Sequence, residues 1–334
     1  MSQTGLFDFH NRLSSLEQTG DPLERLNRLI PWESFRPILA KLRDKDRKSP
    51  AGRRPFDELL MFKMLVLQRL YNLSDHQVEF QSKDRLSFMR FLGVGLENTI
   101  PDEKTLWTFR EELSGQGLER ELFNRFDKYL ENKGMKAKQG TIVDASIVEV
   151  PRQRNSREEN ADIKDGKVPD SLSGNENVLQ QKDLDARWTK KHGRSFYGYK
   201  DHVVVDSGSK LILGYTVTSA SVHDSRELPA LMEKVNRGQS VYGDNAYADD
   251  KKEQEYEKKG KYCLFVMRGR KEWKEWNRMV SGIRARVEHV FGTMEKAMGG
   301  KFLRAIGLRR NATGIGLMNL VYNMKRYTGA LCPA

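Results

Sequence analysis

Cysteine is almost absent from this chain of 334 residues: only Cys263 and Cys332 occur, in no Cys-x-x-Cys or Cys/His spacing. That excludes a disulfide framework and a thiolate zinc site. Also missing are an apolar stretch long enough to cross a bilayer and an apolar run after a basic start, so no membrane span or leader is expected. The chain reads as soluble and cytosolic. With thiolates scarce, any metal has to be carried by carboxylates. Acid is itself outnumbered: 46 Asp and Glu face 58 Lys and Arg, a net charge of +12. Such an excess favours a polyanionic partner, nucleic acid first. The length suits two domains.

Residues 1–25 are polar and aperiodic, and read as a flexible arm. Residues 26–133 read as a helical DNA-binding domain. Helical spacing runs over 26–42 and 56–70, with a basic loop between them in which Arg53 and Arg54 are candidate phosphate contacts. Asp102 and Glu103 suit the start of a helix, and Trp107, Phe109 and Leu113 give that helix a core side. It offers a possible helix-turn-helix reader.

From 134 the pattern changes to strands, and a second domain is expected over 134–328 with a tail at 329–334. The segment GTIVDASIVEVP is a β-branched run bounded by Gly140 and Pro151, most simply a central strand covered on both faces. Asp144 is its one carboxylate in the apolar part, where a lone charge is costly unless paired or bound to metal. Residues 152–194 are polar and poor in aliphatics, and read as a flexible insertion. Its end mixes Trp188, Phe196, Tyr197 and Tyr199 with Arg187, Lys190, Lys191, Arg194 and Lys200, suited to a DNA backbone and unstacked bases or, equally, to an aromatic strand entry.

A hairpin follows over 197–206 and 211–220. Asp244 then stands directly after a short apolar strand, the end of an α/β sheet where ligands bind. Farther on, SGIRARVEHVFGTMEK forms a helix with an apolar stripe, bordered by Glu288 with Arg284 one turn earlier. From Lys296 onward there are seven Lys or Arg and no acid, a second basic stretch. Asp144, Asp244 and Glu288 are three acids that a mixed sheet can bring together. Such a set is stable only around a cation. Oxygen ligands favour Mg²⁺ or Mn²⁺, and two such ions about 4 Å apart serve in-line attack on a phosphodiester.

The segments GRRPFDELLMFKMLVLQRLYNLSD, PDEKTLWTFR, QGTIVDASIVEVP, FYGYKDHVVVD, SASVHDS, GDNAY and IRARVEH carry a specific likeness. Through them, over almost its whole length, the chain resembles the IS5 family of bacterial insertion-sequence transposases. The resemblance implies an α/β fold, a ribonuclease H-like mixed sheet flanked by helices and preceded by an all-helical N-terminal domain. It implies a DDE transposase that binds terminal inverted repeats, cleaves DNA 3′ ends and joins them to target DNA, working as a dimer on paired ends in the bacterial cytoplasm at the nucleoid. Asp144, Asp244 and Glu288 would be the catalytic triad holding Mg²⁺, with Mn²⁺ as substitute. Arg284 and Arg286 would face DNA, and His202 and His223 would support the site. The related helix signature has a Tyr three before the Arg and a Lys seven after the Glu; here Ser281 and Glu295 stand there. A nuclease without strand transfer and a silent transposase-derived DNA binder are the alternatives.

Overall fold

The computed structural model describes residues 7–43, 55–136, 139–191, 193–267 and 271–331. The chain divides into two compact units, residues 1–126 with 320–334, and residues 127–319.

The described part of the first unit is helical. Asp57, Ser74 and Asp102 each accept first-turn backbone N–H groups, starting the helices Glu58–Tyr71, Asp75–Asp84 and Glu103–Gly115. In Glu58–Tyr71 the run Met64, Leu65, Val66 and Leu67 is buried on every side, so neighbouring helices pack around it. The stretch expected to be a flexible arm forms the helices Asp8–Gln18 and Pro22–Leu29. The second is anchored by buried Leu23 and Leu26, while the Asp21 carboxylate both caps it and takes Arg90 at 2.8 Å. Pro31 cannot continue that helix, so the single helix expected over 26–42 breaks into Pro22–Leu29, a 3-10 turn Trp32–Phe35 and the short helix Arg36–Leu39. Trp107, expected in the core, is 47% exposed, whereas Phe109 and Leu113 on the same helix are buried.

The second unit is built on six strands: β1 (Thr141–Glu149), β2 (Arg187–Lys191), β3 (Arg194–Asp206), β4 (Ile212–Ser219), β5 (Ser240–Gly243) and β6 (Tyr262–Phe265). β1 lies in the middle, antiparallel to β3 on one edge and parallel to β5 on the other. β5 pairs in parallel with β6, and β2 and β4 both pair antiparallel with β3. Leaving β2 aside, the order β4-β3-β1-β5-β6 is that of a ribonuclease H-like core. Val143, Val204, Leu228, Leu231, Val241 and Phe265 form an apolar cluster. The helix Lys274–Met298 packs on β1 and β5 and buries Val280, Val287, Val290, Phe291 and Met294. Gly198 on β3 has φ +152°, and an added Cβ would strike the carbonyl oxygen of Val148 on β1, so only glycine lets the two strands meet there.

The insertion is ordered, contrary to its composition. A capping box between Ser156 and Glu159 starts the helix Arg157–Lys164, and Ile163 and Leu172 are buried. Its anchor is Asp183, which is 2% exposed. The Asp183 carboxylate accepts from the Tyr199 hydroxyl at 2.6 Å, the backbone N–H of Ala186 at 2.9 Å and that of Gly307 at 3.0 Å. The compact units meet seven residues before the border expected at 133/134. The division falls at Phe126 within a continuous helix Leu118–Asn132, and Asp127 pairs with Lys136 at 3.0 Å inside the second unit. Residues from Leu320 cluster with the first unit. Among the described residues no helix is long and apolar enough to cross a membrane.

Candidate active site

Strand register brings two of the predicted acids side by side. Ile142 on β1 pairs with Tyr242 on β5. Asp144 stands two residues farther along β1 and Asp244 one residue past the end of β5, and the charge of Asp244 is felt at Asp144. Asp244 leaves β5 as the cap of a 3-10 turn, Asn245–Tyr247, its Oδ1 accepting from Ala246 N at 2.8 Å. That bond fixes the carboxylate at the strand end.

Asp144 is 6% exposed. Its Oδ1 accepts from Ala145 N at 2.8 Å and its Oδ2 from Arg284 Nη2 at 3.2 Å. Burial raises the Asp144 pKa and the charge of Asp244 adds to that rise, while Arg284, the Ala145 N–H and Lys191 oppose it. The ionised form is therefore held at a cost that a neighbouring cation relieves. In this structure that cation is Arg284, itself half-buried. Burial lowers its pKa, but the charges of Asp144, Asp244 and Glu288 outweigh that and raise it. Glu288 lies one turn after Arg284 on the Lys274–Met298 helix, exposed and within electrostatic reach of that guanidinium. Among the described residues no three Asp, Glu, His or Cys side chains close around a point that could hold a metal ion. Arg284 joins the acids, which do not form a finished cage.

Several predicted contacts have other duties. Arg187 is turned inward: its guanidinium donates to the carbonyls of Leu184, Ala186 and Ile163 and fastens the insertion, so it is not a free DNA contact. Lys200 donates to Val222 O at 2.7 Å and Asp224 Oδ1 at 2.8 Å. His202 is fully buried against Thr218 Oγ1 at 2.8 Å, and burial lowers its pKa to about 4, so it is neutral near pH 7. His223 is exposed and caps the 3-10 turn Asp224–Arg226 through Ser225. Arg286 donates to Ser207 O at 2.9 Å. Lys190, Lys191 and Arg194 stand exposed on the β2–β3 hairpin, beside a half-exposed Trp188 over which Arg152 lies at 5.5 Å. Arg53 and Arg54 fall outside the described residues.

Of two neighbours of the acids, Asp224, expected with His223 to support the site or face DNA, carries Lys200, and Tyr247, three residues after Asp244, had no assigned role. Both sit in segments quoted for the family likeness, SASVHDS and GDNAY. Only the fold shows that they share one place with Asp144.

A ribonuclease H-like sheet with acids on its two central parallel strands, and an Arg and a Glu on the helix crossing them, defines a nucleic-acid-processing enzyme. Residues 11–112 match the family model described as Transposase domain (DUF772), and residues 135–324 match that described as Transposase DDE domain. The chain belongs to the DDE transposases, metal-dependent enzymes of DNA transposition. Among solved structures it is similar to the piggyBac transposase synaptic complex with hairpin DNA, at 12% identity and a TM-score of 0.46, over 91% of this chain and 74% of that one.

Proposed function

We propose that this transposase is of the IS5 type, binds the terminal inverted repeats of its own element, cleaves the DNA 3′ ends by hydrolysis and joins them to target DNA. The observation that carries the reading is Asp144 on the central strand and Asp244 at the end of the strand paired parallel with it, within electrostatic reach of each other and of Arg284. Asp144, Asp244 and Glu288 would hold Mg²⁺, with Mn²⁺ as substitute. The donor set is all oxygen, and its surplus of negative charge at a buried position suits a hard divalent ion. Bound there, the ion would supply an activated water or 3′-hydroxyl and relieve charge on the leaving oxygen. Arg284 opposes the rise that burial gives the Asp144 pKa, and the turn that Asp244 caps keeps its carboxylate at the strand end.

Lys190, Lys191 and Arg194 meet DNA phosphates in this reading. In support, the charge of Lys191 is felt at Asp144, as expected of a basic hairpin reaching toward the acids. The helical unit reads the terminal repeat, with Arg53 and Arg54 on the DNA backbone. Two copies hold two ends, in the cytoplasm at the nucleoid. Labelled repeat DNA mixed with a target plasmid and Mn²⁺ tests the whole: joined product is expected from the wild type. Asp244→Ala should retain binding and lose cleavage. Cleavage without joining would favour a nuclease, and nicking that persists in Asp244→Ala would remove the assignment.

A further inference from the structure

Tyr247 is 1% exposed, and its ring packs among Val143, Leu228 and Phe265, 6.1 Å from the Phe265 ring. For such packing a phenylalanine would serve as well. Yet the hydroxyl oxygen is buried and has no hydrogen-bond partner among the described residues. An unpaired buried hydroxyl is costly, so its retention calls for a partner at some stage of the reaction. The candidates lie on its own turn, on the turn packed against it and on β1. Tyr247 sits on the same turn as Asp244, its N–H donating to Asp244 O at 3.3 Å, and this turn packs on the Asp224–Arg226 turn. Its hydroxyl is within electrostatic reach of Asp144, Asp224 and Asp244. Of these, Asp224 is engaged by Lys200, and Asp144 shares Oδ2 with Arg284. Among the described residues Asp244 accepts only the Ala246 N–H.

We propose that the Tyr247 hydroxyl is a positioning group for the active site, donating its one hydrogen bond to the Asp244 carboxylate and so orienting the oxygens that face the divalent ion. This rests on the acid assignment above. Burial and then the three carboxylates hold the phenol well above its ordinary value, so it stays a donor across the working pH range. Partners one step behind a metal ligand set its orientation and commonly control metal affinity.

The test is Tyr247→Phe in the full chain, with Asp144→Asn beside it, read by calorimetric Mn²⁺ binding and by Mg²⁺ titration of repeat-end cleavage. The expected result is an unchanged circular dichroism spectrum and DNA affinity, Mn²⁺ binding weakened about tenfold, and a matching rise in the Mg²⁺ needed for half-maximal cleavage. Mn²⁺ affinity and Mg²⁺ dependence equal to wild type would overturn the role of Tyr247. So would loss of the fold, which would make the hydroxyl a structural need. Asp144→Asn that still cleaves would instead overturn the acid assignment.

Discussion

Asp201 stands on β3 opposite Ser146, buried, with the Asn319 amide at 3.1 Å as its only hydrogen-bond donor among the described residues. Lys301 borders the small cavity beside it but is engaged by Glu295 at 2.6 Å. Burial pushes the Asp201 carboxyl up to about 7, and the Asn319 amide pulls it back only partly. In the unfolded chain an Asp titrates near about 3.9. The folded state therefore binds the proton more tightly, so this contribution is fully present below about pH 4 and is lost as pH rises toward about 7. At about 1.4 kcal/mol per pH unit, the gap corresponds to about 4 kcal/mol, of which about 2.5 kcal/mol falls between about pH 5 and 8. Asp201→Asn is neutral throughout, keeps an acceptor for Asn319, and brings an amide near the buried, unpartnered Asn319 Oδ1. Urea denaturation across that range should show the wild type losing about 2.5 kcal/mol relative to the variant. Parallel pH curves for the two proteins would refute a protonated Asp201 in the folded chain.

Asp183→Ala strands the Tyr199 hydroxyl and the Ala186 and Gly307 N–H groups. A loss of about 3–5 kcal/mol by urea denaturation is expected, with new protease cuts in 152–186. Arg284→Ala should reduce cleavage about 10–100-fold. Because Arg284 lowers the Asp144 pKa, its removal should also move the acid limb of the cleavage profile to higher pH; an unmoved limb would show that the two do not act together. Replacing Lys190, Lys191 and Arg194 by Ala should weaken DNA binding and flatten the plot of log affinity against log salt by about 0.9 for each phosphate no longer neutralised. A salt slope equal to wild type would clear the hairpin of that role.

The central strand was legible because an apolar run between Gly140 and Pro151 with one acid has few other solutions. Asp244 was legible because it directly follows a strand, and Arg284 because it stands four before Glu288 on one helix face. The insertion was not, since its order hangs on Asp183 reaching groups 16 and 124 residues away. Composition also overstated the free basic surface. It counts Arg187 and Lys200 as positive charges but cannot show that backbone carbonyls and Asp224 already occupy them. The N-terminal helices were missed because their hold is a few buried leucines and one Asp–Arg pair, too sparse for a period.

The contact between Arg284 and Asp144 spans 140 positions of chain. During synthesis both strand-borne acids leave the ribosome well before the helix that carries the guanidinium and Glu288. A product truncated ahead of Lys274 would have two mutually repelling carboxylates and neither counter-charge nor third acid. If the proposed acid assignment holds, half-made polypeptide would be unable to cut DNA, and cutting power would arrive only with the last part of the chain.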